Sequence, residues 1–169
     1  MNFQLTLAAV VIASTSLWLA LALAGEPLVL ADPGGAIDEA WEEREFGSRT
    51  DFQRVRIDGA NAIRAIGRRS ASGLYRTVEY RLLDYPLLQW EWRVDRLQSD
   101  ADLRRKETED FGAAIILIFG RDDTMSSGDV ALVYVWTSDR LSVGSIVPSP
   151  WHPDNMRSVV VESGESRLR

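Results

Sequence analysis

Polar and apolar residues alternate with period two along most of the chain beyond residue 50. "FQRVRI" (52–57) and "AIRAIG" (62–67) are two such runs on either side of "DGAN". Asp58-Gly59 between alternating runs predicts a β-hairpin, because the tightest connection needs positive φ at its centre. "LYRTVEYRL" (74–82) alternates again, with Arg76, Val78, Tyr80 and Leu82 on one face and Tyr75, Thr77, Glu79 and Arg81 on the other. In "LQWEWRV" (88–94), Leu88, Trp90, Trp92 and Val94 share one face, and Gln89, Glu91 and Arg93 the other. The pattern predicts a half-buried strand with two indoles side by side.

Two runs are apolar on both faces, "FGAAIILIFG" (111–120) and "VALVYVW" (130–136), as strands covered on both sides are. The polar "RDDTMSSGD" between them predicts a hairpin loop, and "RSVVVESG" (157–164) a last strand. Only "SDADLRRKETED" (99–110) reads as a helix, with Ser99 as its cap and Asp102 three residues on. Roughly seven or eight short strands with turn signals between them predict an all-β fold, an antiparallel β-sandwich of the jelly-roll kind.

Residues 2–25 carry no charge, and the apolar run from Leu5 ends in Ala22-Leu23-Ala24. Small residues at that spacing predict an export signal, residues 1–24, cleaved after Ala24. A run of ~20 apolar residues also suffices for a retained membrane-anchor helix, with residues 5–24 as the sole membrane contact. Either reading places the chain in the periplasm or outside the cell. Residues 25–40, with Pro27, Pro33, Gly34 and Gly35, predict a linker or surface arm, and 41–169 the β-domain.

The net charge is −6, which disfavours nucleic acid and anionic membranes as partners. There is no cysteine, so the domain relies on its core, and thiol chemistry and Cys-ligated metal are excluded. The sole histidine, His152, lies in "PSPWHPDN" without a second His to build a triad or a His-rich metal site. Asp122, Asp123 and Asp129 form an acidic loop whose spacing departs from the EF-hand pattern, so no metal and no cofactor are expected.

Lys106 is the single lysine beside eighteen arginines, 19 basic residues less one. A lysine retained in so Arg-biased a chain suggests a position that wants a compact ammonium, against the plainer reading of a surface side chain. Trp90, Trp92 and Trp136 fit a sandwich core, and equally a platform for sugar rings.

The order of "PLLQWEWRV", "DADLRRKETEDFGAAIILIF", "ALVYVWTS" and "VVVESG" resembles the bacterial family known as domain of unknown function 3047. Pro86, Leu87, Trp90, Trp92, Asp102, Lys106, Asp110, Phe111, Phe119, Tyr134, Val135, Trp136, Ser163 and Gly164 carry the resemblance, which spans roughly residues 40–169. It implies an exported jelly-roll-type domain with no established activity and places a lysine at Lys106. It also implies a further closing segment after Ser163-Gly164, so the domain is expected to be incomplete at its C-terminus.

The expected function is a non-catalytic exported module binding a glycan or other envelope ligand through Trp90, Trp92, Lys106, Asp110 and Trp136. One alternative is a glycan hydrolase using two of Glu79, Glu91, Glu109 and Asp110. Another is a structural or assembly module in which the Trp are core and Asp102, Lys106 and Asp110 form an ion network.

Overall fold

The computed structural model describes residues 2–8, 26–32, 34, 41–120, 128–138 and 140–164, with residues 2–8 described through their backbone. They contain β1 (Asn2–Ala8), β2 (Glu42–Glu45), β3 (Asp51–Ile57), β4 (Ala60–Ile66), β5 (Ser72–Glu79), β6 (Ala113–Phe119), β7 (Val130–Thr137), β8 (Ile146–Pro148) and β9 (Met156–Ser163). The all-β class holds. Seven strands form one sheet in the order β2-β5-β1-β6-β7-β9-β8, and β3 and β4 form a separate two-stranded sheet.

The β3–β4 hairpin closes where alternation predicts. Ile57 faces Ala60 across the turn, and Asp58 and Gly59 take φ of 51° and 86°. Both central residues of the turn lie in the left-handed region, which Asp tolerates and Gly adopts freely. The hairpin then lays Ile63 and Phe52 on the large sheet, against Leu74, Ile115, Leu117 and Trp41.

Register separates the two faces of that sheet. Ile115 pairs with Tyr134 and Leu117 with Leu132, so odd residues of β6 share a face with even residues of β7. On this first face lie Leu74, Ala113, Ile115, Leu117, Tyr134 and Trp136, covered by the hairpin and by residues 88–97. On the second lie Ala114, Ile116, Val133, Val135 and Val160, covered by Leu103 and Phe111 of the 99–111 loop and by Leu141. Cover on both sides is why β6 is apolar at every position.

Several expectations change. The ladder is mixed, since β7 and β9 are parallel. The chain leaves β7, turns to β8 outside β9, then returns as β9 between them; two reversals restore the direction. The second layer is a two-stranded hairpin plus loops, not a sheet of comparable size.

Residues 88–94 form no ladder. Their apolar stripe nevertheless faces the protein: Leu88 and Trp90 pack on the first core, Trp92 on the first and third, and Val94 is buried in the third. The segment crosses the face of β7 rather than joining its edge, so alternation reports the side it buries without reporting a strand partner. Residues 99–110 form turns, not a helix. Asp102 Oδ1 accepts the Arg104 N–H at 3.1 Å, the Asp102 N–H donates to the Thr108 carbonyl at 2.8 Å, and Leu103 is driven into the second core. Burying that one leucine fixes a compact loop where propensity favours a helix.

The arm packs down: Arg76 Nη1 donates to the Leu30 carbonyl at 2.9 Å, and Leu30 and Ala31 lie on the first core. At the N-terminus, Asn2–Ala8 is a strand, not part of a helix, because β5 and β6 offer it a ladder on either side. Residues 9–24, the rest of the expected signal or anchor helix, lie outside the described residues. Among the described residues no helix is long and apolar enough to cross a membrane.

Candidate functional site

The residues expected to bind ligand divide between the two faces of the sheet. Trp90, Trp92 and Trp136 belong to the first face. Trp90 lies 5.4 Å from Tyr134 and Trp92 6.1 Å from Trp136, ring centre to ring centre, and the two indoles of the crossing segment meet edge to face at 5.5 Å. Tyr134 and Trp136 are two residues apart on β7, so one aromatic pair sits on another. Trp136 is 8% exposed, and its Nε1–H donates to the Gly164 carbonyl at 2.9 Å. A buried indole whose one polar atom is satisfied is core, not a platform for a ligand.

Lys106 and Asp110 belong to the 99–111 loop, over the other face. Lys106 Nζ sits 4.9 Å above the ring of Trp151, in the loop joining β8 to β9. Trp151 is 57% exposed. Trp151 and Ser149 of the same loop lie beside the Glu109 carboxyl and favour its charged form. Ser149 is itself buried, and its Oγ accepts the backbone N–H groups of Trp151 at 3.2 Å and His152 at 3.4 Å. The His152 carbonyl accepts from Met156 N at 3.0 Å, closing the turn. A partly exposed indole thus sits on a turn held by a buried hydroxyl, with an ammonium on its face and a carboxyl beside it.

Electrostatics mark the same corner. Burial pushes the Glu109 carboxyl above its ordinary range, only partly offset by the hydrogen bonds from Trp151 and Ser149. Burial also raises Asp110, against a backbone hydrogen bond from Phe111 N to Oδ1 at 2.8 Å. Two adjacent carboxyls on the loop therefore protonate more readily than free ones.

The expected Asp102/Lys106/Asp110 network is not formed. Asp102 instead takes a fork from Arg104, Nε to Oδ1 at 2.8 Å and Nη2 to Oδ2 at 2.9 Å, and these bonds hold its carboxyl down at about 2. Arginine is the better match because its planar fork meets both oxygens, which an ammonium cannot. Lys106 is thereby left to the aromatic ring.

Of the other carboxylates, Glu79 lies on β5 and Glu91 on the crossing segment, away from this loop. Asp122 and Asp123 lie outside the described residues, and Asp129 is buried. Among the described residues no three acids or histidines group to hold a metal. A cleft of about 540 Å³ lies between Trp41, Glu43, Arg49, Thr50, Asp51, Phe52 and Leu74. Its one cation is already paired: Arg49 Nε donates to Glu43 at 2.9 Å, and Ser72 Oγ to the other Glu43 oxygen at 3.0 Å.

Trp151 and Ser149 were missed by sequence reasoning, and Glu109 was named only as a candidate hydrolase carboxylate. The available signal was that the sole lysine and the sole histidine each stand beside them, in "RRKETED" and "PSPWHPDN". What brings these stretches together is the turn of β8 into β9 over the 99–111 loop, a tertiary fact without a local pattern.

The family model described as protein of unknown function (DUF3047) matches residues 39–169, and the chain belongs to that family. No curated protein and no solved structure matches it.

Proposed function

We propose that this DUF3047 member is an exported, non-catalytic module that binds a glycan at the Lys106–Glu109–Trp151 corner. One observation carries the reading: Trp151 stays 57% exposed while Lys106 stands 4.9 Å over its ring and the Glu109 carboxyl lies beside it. A sugar presents apolar C–H faces and a rim of hydroxyls. The indole takes the former, and the ammonium and the free carboxyl lone pairs take the latter. Asp110 supplies a second carboxyl beside the first. The export reading rests on the uncharged apolar run that ends at Ala24.

The test is titration of the protein with envelope glycans, followed by the fluorescence of the tryptophans. Trp151→Ala and Lys106→Ala are expected to lose ~tenfold or more in affinity while melting like the wild type. Binding that is absent in wild type, or unchanged in both variants, overturns the reading.

A second reading, glycan hydrolysis, is favoured by the raised Glu109 carboxyl, since a general acid is a carboxyl whose surroundings favour its protonated form. Turnover of a bound glycan that Glu109→Gln abolishes without loss of binding would select hydrolysis over simple binding.

A further inference from the structure

β5 and β6 are inner strands of the large sheet that never pair with each other; β1 lies between them. It runs antiparallel to both, so β5 and β6 are parallel and two strand spacings apart, roughly 10 Å. Without β1, each flank presents a row of N–H and C=O groups across a strand-wide slot, which is a template for a strand.

The flanks specify which strand fits. On the first-core face they offer Leu74, Ile115 and Leu117, all buried. Arg76 is the one charge on that face, and its guanidinium donates to the Leu30 carbonyl; Glu79, at the end of β5, is on the other face. The slot therefore takes about seven residues, uncharged, with apolar side chains at alternate positions. Asn2–Ala8, "NFQLTLA", has that composition. The outer edges of the sheet are different: β2 has four residues, three of them glutamate, and β8 has three, one of them proline. Short, charged or proline-bearing edges resist strand addition.

The same seven residues lie in the segment read as an export signal, and a stretch removed on export is no longer there to fill an inner position of the sheet. We propose that the β5/β6 slot is a strand-acceptor site. Asn2–Ala8 holds it while the leader is present, and an uncharged extended segment of a partner polypeptide replaces it thereafter. Main-chain hydrogen bonds to both flanks supply affinity, and the alternate apolar pockets fix register. The replacement step rests on the export reading; the acceptor site itself does not.

The test uses the full 169-residue chain carrying Leu5→Lys, refolded from denaturant with and without a labelled synthetic peptide of residues 2–8. Position 5 lies between Arg76 and Leu117, so a lysine there disables the resident strand. The peptide is expected to bind this variant saturably, one per chain, and to bind the unaltered chain ~tenfold or more weakly, since its own strand competes. A Leu5→Lys peptide is expected to bind neither. If the variant fails to fold alone, recovery of its fold by the wild-type peptide supports the proposal equally.

A second measurement is independent of that variant. Gln4 and Thr77 are register partners in a chain without native cysteine, so Gln4→Cys with Thr77→Cys is expected to oxidise to one intramolecular disulfide. A peptide that neither binds nor rescues overturns the proposal. So does a cysteine pair that stays reduced or links two chains.

Discussion

Trp92 and Trp136 meet ring to ring at 6.1 Å across the first face of the sheet, with 51° between their planes. One ring comes from a segment without a ladder, the other from an inner strand. Trp90 and Tyr134 repeat the arrangement two residues earlier on both sides, at 5.4 Å. Residues 88–94 are thus held by four aromatic rings where a strand would be held by main-chain hydrogen bonds. Removal of one ring therefore has a larger effect than loss of one side chain from a strand.

Trp92→Ala is expected to destabilise the fold by about 3 kcal/mol, the low end for truncating a large aromatic because Trp92 is half-buried. Trp151→Ala is expected to change stability by less than about 0.5 kcal/mol. Denaturant melts of the two variants check this. Equal effects would mean that the two indoles do not divide into core and surface.

Much of this was readable from residue order, and the failures have one cause. Asp58-Gly59, the doubly apolar β6 and the closing β9 follow from local rules, since a turn and a pleat are decided by neighbours in sequence. Whether the Trp90/Trp92 stripe joins a ladder, and whether 99–110 coils into a helix, depends on what lies opposite. For the first that is β7's aromatics, and for the second it is a pocket for Leu103. The site failed for the same reason. Lys106 and Glu109 are legible as candidates, but their neighbours Trp151 and Ser149 arrive from another loop. Trp90, Trp92 and Trp136 satisfy the composition of a sugar platform as well as that of a core, and residue order does not show that Trp136 is buried with Trp92 stacked on it.

The approach of the crossing segment to β6 is tight at Gly112. A Cβ there would stand 2.4 Å from Leu97 Cδ2 and 2.7 Å from Val94 Cγ1. Gly112→Ala is expected to cost about 1–3 kcal/mol by overpacking. Val94→Ala adds its own loss alone but recovers part of the strain when combined with Gly112→Ala. A double-mutant cycle measured by chemical denaturation is expected to show a favourable coupling of about 0.5 kcal/mol or more; strict additivity would contradict the contact.

Thr137, at the end of β7, is 1% exposed, and its hydroxyl has no hydrogen-bond partner among the described residues. A buried hydroxyl without a partner is a cost that an isosteric apolar group removes. Thr137→Val is expected to leave the fold intact and raise stability by about 1 kcal/mol, seen as a higher melting temperature. A loss of that size would mean that the hydroxyl is satisfied.

Asp102 ties the 99–111 loop through Arg104, with a carboxyl held at about 2 against an ordinary 3.8. A lowered folded value means stability that is fully present above the unfolded value and is lost as pH falls through the folded one. Asp102→Asn keeps the acceptor for the Arg104 N–H but loses the ion pair. It is expected to cost about 1–2 kcal/mol at neutral pH, discounted for the half-exposed guanidinium. Melts of wild type and variant are expected to converge between pH 4 and 2.

Glu109 has the opposite sign. Burial raises its carboxyl above the ordinary 4.5, so the folded protein holds the proton more tightly than the unfolded chain does. Its protonated form is favoured in the fold, and stability falls as pH rises from the ordinary value through the raised one. Glu109→Gln keeps the size and polarity of the side chain beside Trp151 and Ser149 while removing the charge. The variant is therefore expected to melt above wild type at pH 7 and to match it near pH 4. The same substitution reports on function, because the Trp151 ring keeps a polar neighbour of the same size and only the ionisable group is gone. If the corner binds glycans with neutral hydroxyls, affinity for them is expected to keep its size in Glu109→Gln but lose its change between pH 4 and 7. A glycan affinity that still varies with pH in the variant would assign the titration to Asp110, the neighbouring raised carboxyl, and Asp110→Asn would then be the change that flattens it.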